Sequence, residues 1–165
     1  MKKKFLLAFV AIASFIMVSC GDDILCTVCN FEPVMEDYRY QFDEDYVTVD
    51  AAGEEFSLSL KDLDGNSATS TWNSYSAITW EGADDTFNET SNVSTTFENA
   101  KDLYWYKLAN DSNNPGQIKV TIKPNETSNY RALSFLVTQR EQVEKHWKYL
   151  FSNKIMILQE PAIAE

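Results

Sequence analysis

The chain has 165 residues, 44% hydrophobic and 24% charged, with a formal charge of −11. A polyanion without a basic stripe repels the phosphates a nucleic-acid binder must neutralise, which excludes that class of partner. Aromatic residues make up 13% of the chain, enough to argue against disorder, and the length fits one domain with a short tether.

Lys2, Lys3 and Lys4 precede an apolar run from Phe5 to Val18 that is short for a bilayer span, and Ser19 stands directly before Cys20. The pattern resembles a bacterial lipoprotein signal. That resemblance implies removal of residues 1–19, acylation of Cys20 and a membrane attachment through lipid, leaving 165 − 19 = 146 residues and a charge of −11 − 3 = −14. Gly21, Asp22 and Asp23 resemble the acidic signal that sends lipoproteins of the Bacteroidetes to the outside of the outer membrane. Cell-surface display is the favoured address, and a solvated linker start on the periplasmic face is the alternative.

Residues 20–37 read as a tether holding Cys26 and Cys29 in a lone Cys-x-x-Cys. A structural zinc needs four ligands and His146 is the sole histidine, so neither metal nor cofactor is expected. A redox pair should open a helix after a strand. The pair is read as a small-loop disulfide or as two idle thiols.

The domain proper is read as residues 38–165. Tyr38, Tyr40 and Phe42 recur at every second residue, followed by Val47 and Val49, then Phe56, Leu58 and Leu60, which predicts strands with one buried face. Asp64-Gly65 marks a turn. Ser74 to Trp80 is a further strand, and Val93, Thr95 and Phe97 alternate within the polar stretch Thr86 to Asn99. Leu103 to Leu108 is aromatic-rich. Asn114-Pro115-Gly116-Gln117 has proline and glycine where a type II turn needs them, and Ile118, Val120 and Ile122 form the clearest strand. Pro124 to Tyr130 reads as a loop, Leu133 to Gln139 as a strand and Ile155 to Gln159 as the last strand. Between these two, Arg140 to Lys154 fits a helical face through Val143, Trp147, Leu150 and Phe151. It also fits an extended hairpin arm through Trp147, Tyr149 and Phe151, which is preferred. Many short strands with almost no helical period predict an all-β sandwich or barrel.

The run Val47 to Leu60 resembles the opening of a BACON domain, the Bacteroidetes-associated module named for carbohydrate binding. Gly116 to Asn125, Arg131 with Ala132 to Val137, and the closing Ile155 to Glu160 are similar to its later strands. The resemblance covers most of Asp45 to Glu160, with a longer middle at Ser67 to Lys101. It implies an immunoglobulin-like β-sandwich attached to surface or glycan-processing lipoproteins, and carries over no binding site. Physically, Gly53 is expected at positive φ, Pro124 to end a strand and Asn125 to cap a turn. Arg131 is expected to pair with an acidic loop residue rather than a ligand.

His146 in a charged stretch does not suggest a catalytic triad, and no motif singles out two carboxylates for glycoside cleavage, so no catalytic residue is expected. Asp62, Asp64 and Asn66 alternate like calcium ligands, but a hairpin turn accounts for them. Sugar binding relies on aromatic faces, which directs attention to Trp72, Tyr75, Trp80, Tyr104, Trp105, Tyr106, Trp147 and Tyr149. Trp147 and Tyr149 are the leading exposed candidates. Either Trp105 faces the core with Tyr104 and Tyr106 outward, or the reverse. The sequence reading is a non-catalytic lipid-anchored module whose partner is a glycan or an envelope protein. The alternative is a structural spacer or adhesion module with no glycan affinity.

Overall fold

The computed structural model describes residues 37–83, 86–100, 104–143 and 146–162. Cys20, Cys26 and Cys29 lie outside the described residues, and with them the lipidation and disulfide expectations. The fold is all-β, as expected. Its strands are β1 (Asp37–Phe42), β2 (Tyr46–Val49), β3 (Glu54–Asp62), β4 (Ser74–Ala83), β5 (Thr86–Thr96), β6 (Tyr106–Asn110), β7 (Gln117–Ile122), β8 (Tyr130–Val143), β9 (His146–Ser152) and β10 (Ile155–Gln159). A 3-10 turn, Phe97–Asn99, follows β5 and is capped by Thr96, whose hydroxyl accepts the Asn99 N–H.

These strands form one mixed sheet in the order β2-β10-β8-β9-β1-β3-β7-β6, with β4 joining β8 on one side and β5 on the other. The β2/β10 and β1/β9 pairs are parallel and the rest antiparallel. β8 organises the sheet because its 14 residues exceed any partner's length. It pairs with β10 over Arg131 to Phe135 and with β9 over Thr138 to Val143, while β4 runs along it from Tyr130 to Thr138. The stretch from Arg140 is therefore a hairpin arm, not a helix.

Period two fills the core. Leu58 and Leu60 of β3, Ile118, Val120 and Ile122 of β7, and Tyr106 and Leu108 of β6 share one buried cluster with Tyr75, Ala77, Leu133, Phe135, Val137, Ile155 and Ile157. This cluster draws on strands from both ends of the order. Phe42 meets Phe135 edge-on across it, at 5.4 Å between ring centres. Each fully buried aliphatic side chain here contributes roughly 1.5–3 kcal/mol of transfer free energy. A smaller cluster of Trp80, Ala132 and Leu158 lies with half-buried Tyr46, Ile78, Phe87, Tyr130 and Met156.

The irregular middle of the sequence resolves into the β4–β5 hairpin and a connection anchored by Trp72. The Trp72 N–H donates to Asn110 Oδ1 at 3.0 Å, and Asn110 Nδ2 donates back to the Trp72 carbonyl at 2.9 Å. Trp72, Tyr75 and Trp80 are all buried, so none offers a sugar platform. Two turns follow the sequence reading. Gly53 and Gly116 have φ of +77° and +89°, and the Gln117 N–H closes its turn on the Asn114 carbonyl at 3.1 Å.

A buried amide ties the loop before β8 to the chain just after β10. Asn125 is 3% exposed. Its Nδ2 donates to the carbonyls of Asn129 and Glu160 at 2.8 and 2.9 Å, and its Oδ1 accepts from the Thr127 N–H and hydroxyl. Gln159, fully buried at the end of β10, donates to the Lys123 carbonyl at 2.8 Å. These amides take the place of backbone pairing where the strands run out.

Candidate functional site

The arm carries the leading candidate rings. In β9, Leu150 and Ser152 are buried, so strand alternation turns Tyr149 and Phe151 to the opposite face, where both are half-buried. Ser152 anchors the arm from within: its hydroxyl accepts the Val137 N–H at 3.0 Å and donates to the Asn153 carbonyl at 2.7 Å.

β1 supplies the third ring. Tyr38 stands opposite Phe151 and Tyr40 opposite Ser152, so two steps along β1 match a single step along β9. Arg39 is the extra residue of this bulge, and it reverses the expected alternation. Tyr40 turns inward and meets Trp72 edge-on at 4.9 Å between ring centres. Tyr38, read from sequence as sharing that buried face, is 55% exposed, with its ring 5.7 Å from that of Phe151.

Tyr38, Phe151 and Tyr149 thus form a row along one face, Phe151 and Tyr149 separated by about 7 Å as the strand rise dictates. Arg140 stands opposite Tyr149 on β8 and so borders the same row. Flat rings of this kind can stack on an apolar face of a ligand.

The other sequence candidates go elsewhere. Trp147 occupies β9 opposite Gln142, and its side chain lies outside the described residues. Tyr106 is 1% exposed, so the expectation that it faces a ligand is corrected: it belongs to the core. Burial, with the neighbouring Tyr75 and Tyr104 hydroxyls, pushes its pKa far above the ordinary tyrosine value. Tyr104 is half-buried and stacked on Tyr106, with 5.5 Å between ring centres. Trp105 also packs against the core rather than away from it, because both residues precede β6 in a bend where strand alternation does not apply.

Arg131 pairs with an acidic residue, as read from sequence, but the partner is on a strand. Its Nε donates to Glu81 Oε1 at 3.2 Å directly across β8 and β4, and its Nη1 donates to the Pro124 carbonyl at 3.2 Å. Its guanidinium lies 5.8 Å from the centre of the Trp105 ring.

Asp62 uses its carboxylate on its own turn. Oδ1 accepts the N–H groups of Asp64 and Asn66 at 3.0 and 2.8 Å, and Oδ2 accepts from Asn66 Nδ2 at 3.1 Å. These bonds, led by the Asn66 N–H, hold its pKa below the usual aspartate value. Among the described residues no group of three or more His, Cys, Asp or Glu side chains could hold a metal ion.

A concavity of about 340 Å³ lies on the β3/β7 side, lined by Glu55, Ser57, Asp111, Asn113 and Lys119. Its charges satisfy one another. Lys119 Nζ is 2.6 Å from Glu55 Oε1, and Thr121 donates to Glu55 Oε2 at 3.2 Å, which lowers the Glu55 pKa and raises that of Lys119. Asp111 is held low by Asn114 Nδ2 and by the Asn113 N–H.

Sequence reasoning missed Tyr38 and Phe151 as site residues. Phe151 was signalled by its two-residue spacing from Tyr149, whereas no local signal marks the bulge at Arg39. No protein-family model matches the chain, and no curated protein matches it. Among solved structures it is similar to the "NMR structure of the protein from Bacteroides thetaiotaomicron", at 17% identity and a TM-score of 0.39. That match covers 87% of this chain and 100% of the other. A likeness at that level leaves function open, and the BACON resemblance rests on the residues quoted above.

Proposed function

We propose that the protein is a non-catalytic, lipid-anchored module of the outer membrane, displayed at the cell surface, that binds glycan through the ring row Tyr38–Phe151–Tyr149. The observation carrying this reading is the exposed Tyr38 ring seated beside Phe151 on a paired strand surface. Such a row is rigid before binding, so little ordering entropy opposes ligand capture. Trp147, on the same arm in sequence, belongs to the same proposal, and Tyr104, half-buried and stacked on Tyr106, is a secondary contact.

The finer fold reading is an immunoglobulin-like β-sandwich of the BACON type. It is supported by the larger core cluster, which draws on β3, β6 and β7 as well as β4, β8 and β10. The asparagine loop, the arginine opening β8 and the glutamine closing β10 also fit that pattern. The resemblance of residues 1–20 to a lipoprotein signal, with the acidic residues after Cys20, supports the address.

A glycan array probed with the detergent-purified protein tests the binding proposal. Micromolar to millimolar binding to one polysaccharide class, reduced by Tyr38→Ala and Tyr149→Ala but retained by Lys119→Ala, is the expected result. Silence across a broad panel would refute it.

A further inference from the structure

Among the described strands, β5 pairs with β4 and with no other. It has 11 residues, whereas β2 and β6, which end the main order, have four and five. Proteins ordinarily blunt a long free edge with lysine, proline, shortness or a β-bulge, because its unpaired N–H and C=O groups template another strand. The β5 sequence Thr-Phe-Asn-Glu-Thr-Ser-Asn-Val-Ser-Thr-Thr contains no Lys, Arg or Pro and one carboxylate, Glu89. In a chain of net charge −11 this is a nearly neutral row.

One irregularity interrupts it. Thr79 faces Ser91 and Trp80 faces Glu89, leaving Thr90 extra. Thr79 Oγ1 lies 2.8 Å from Thr90 Oγ1 and 2.7 Å from Ser91 Oγ, which ties the bulge to β4. Beyond it, Ser91 to Thr96 run in unbroken register with β4.

We propose that β5 is a self-association edge, at which two copies of this chain pair antiparallel about a two-fold axis near Asn92. Charge selects the second copy as the occupant. Pairing about Asn92 sets Ser91 opposite Val93, and Glu89 lies beyond the bulge at Thr90, toward the Thr95 end of the other copy, so the two Glu89 carboxylates never meet. The net charge of −11 opposes contact between two copies, and the run Thr90 to Thr96 carries no charge that adds to it. Hydroxyl and carboxamide side chains both donate and accept, so identical rows satisfy one another in an isologous contact.

Cysteine cross-linking of the full protein in detergent, in a Cys26→Ser/Cys29→Ser background, tests this pairing. Asn92→Cys lies on the axis, where antiparallel partners stand about 4.5–5.5 Å apart between Cα atoms, within disulfide reach. It is expected to give a disulfide dimer under mild oxidation, while Ser57→Cys on β3 is not. Sedimentation equilibrium in density-matched detergent is expected to show a dimer that Val93→Lys/Thr95→Lys weakens at least about tenfold with an unchanged far-ultraviolet spectrum. The cysteine result stands even where the lysine variant fails to fold. A monomer at every concentration, equal cross-linking from Ser57→Cys, or uptake of an unrelated extended peptide by a monomeric protein would overturn self-pairing.

Discussion

The ring of Tyr38 lies 5.7 Å from that of Phe151, across a parallel pair of strands, while Tyr40 two residues later faces the core. The bulge at Arg39 therefore separates two tyrosines that simple alternation would put on one face. Their energetic roles should separate in the same way. Tyr38→Ala is expected to change stability by no more than about 0.5 kcal/mol, and Tyr40→Ala, which strips an edge contact from Trp72, to cost about 2 kcal/mol. Urea unfolding of the two variants measures the difference.

Asn125 bonds two carbonyls as donor and two Thr127 groups as acceptor, all in a buried setting. Asn125→Ala strands those partners and is expected to cost about 2–4 kcal/mol. Asn125→Asp keeps the acceptor but sets a carboxylate against two carbonyl oxygens, so it should be at least as destabilising. Thermal unfolding of both variants checks this.

Two glycines at positive φ differ in their surroundings. A Cβ on Gly116 would lie 1.8 Å from the Ala68 carbonyl oxygen, whereas a Cβ on Gly65 meets nothing within 4 Å. Gly65→Ala should therefore cost only the backbone strain of about 1 kcal/mol. Gly116→Ala adds a collision with main chain and should cost more than about 2 kcal/mol. Denaturant midpoints of the pair decide whether the clash or the dihedral dominates.

Asp62 is ionised more readily in the folded chain than in the unfolded one, because the Asn66 N–H and side chain bond its charged form. A depressed folded pKa contributes stability that is full above the unfolded value, near 4, and lost as pH falls through the folded value. Asp62→Asn removes this linkage. The stability gap between wild type and Asp62→Asn should be present at pH 6 and shrink as pH falls below about 4, as read from melting temperatures at matched ionic strength. Taking the difference cancels the change in net charge common to both proteins.

Much of the fold was legible because side-chain period and turn chemistry agreed. Ile118, Val120 and Ile122 lie buried along β7, and Gly116 supplies the positive φ that its turn requires. Asn125 caps its loop as read. The hairpin arm was legible as well, because Tyr149 and Phe151 keep period two. The site was less so. Tyr38 depends on one inserted residue, and such a bulge is fixed by pairing with β9, a strand more than a hundred residues later. Tyr104 and Trp105 stand in a bend, where neither period applies, so the choice between outward and inward needed the tertiary contacts of Tyr106. The partner of Arg131 lies on β4, which only strand register could reveal.

The most direct test of the central claim is an isothermal titration of wild type and Tyr38→Ala with the glycan selected on the array, each variant checked for an unchanged melting temperature. Aromatic stacking on the arm predicts affinity at least about tenfold weaker in Tyr38→Ala, a loss of roughly 1.4 kcal/mol. Equal affinity in the two proteins would contradict it.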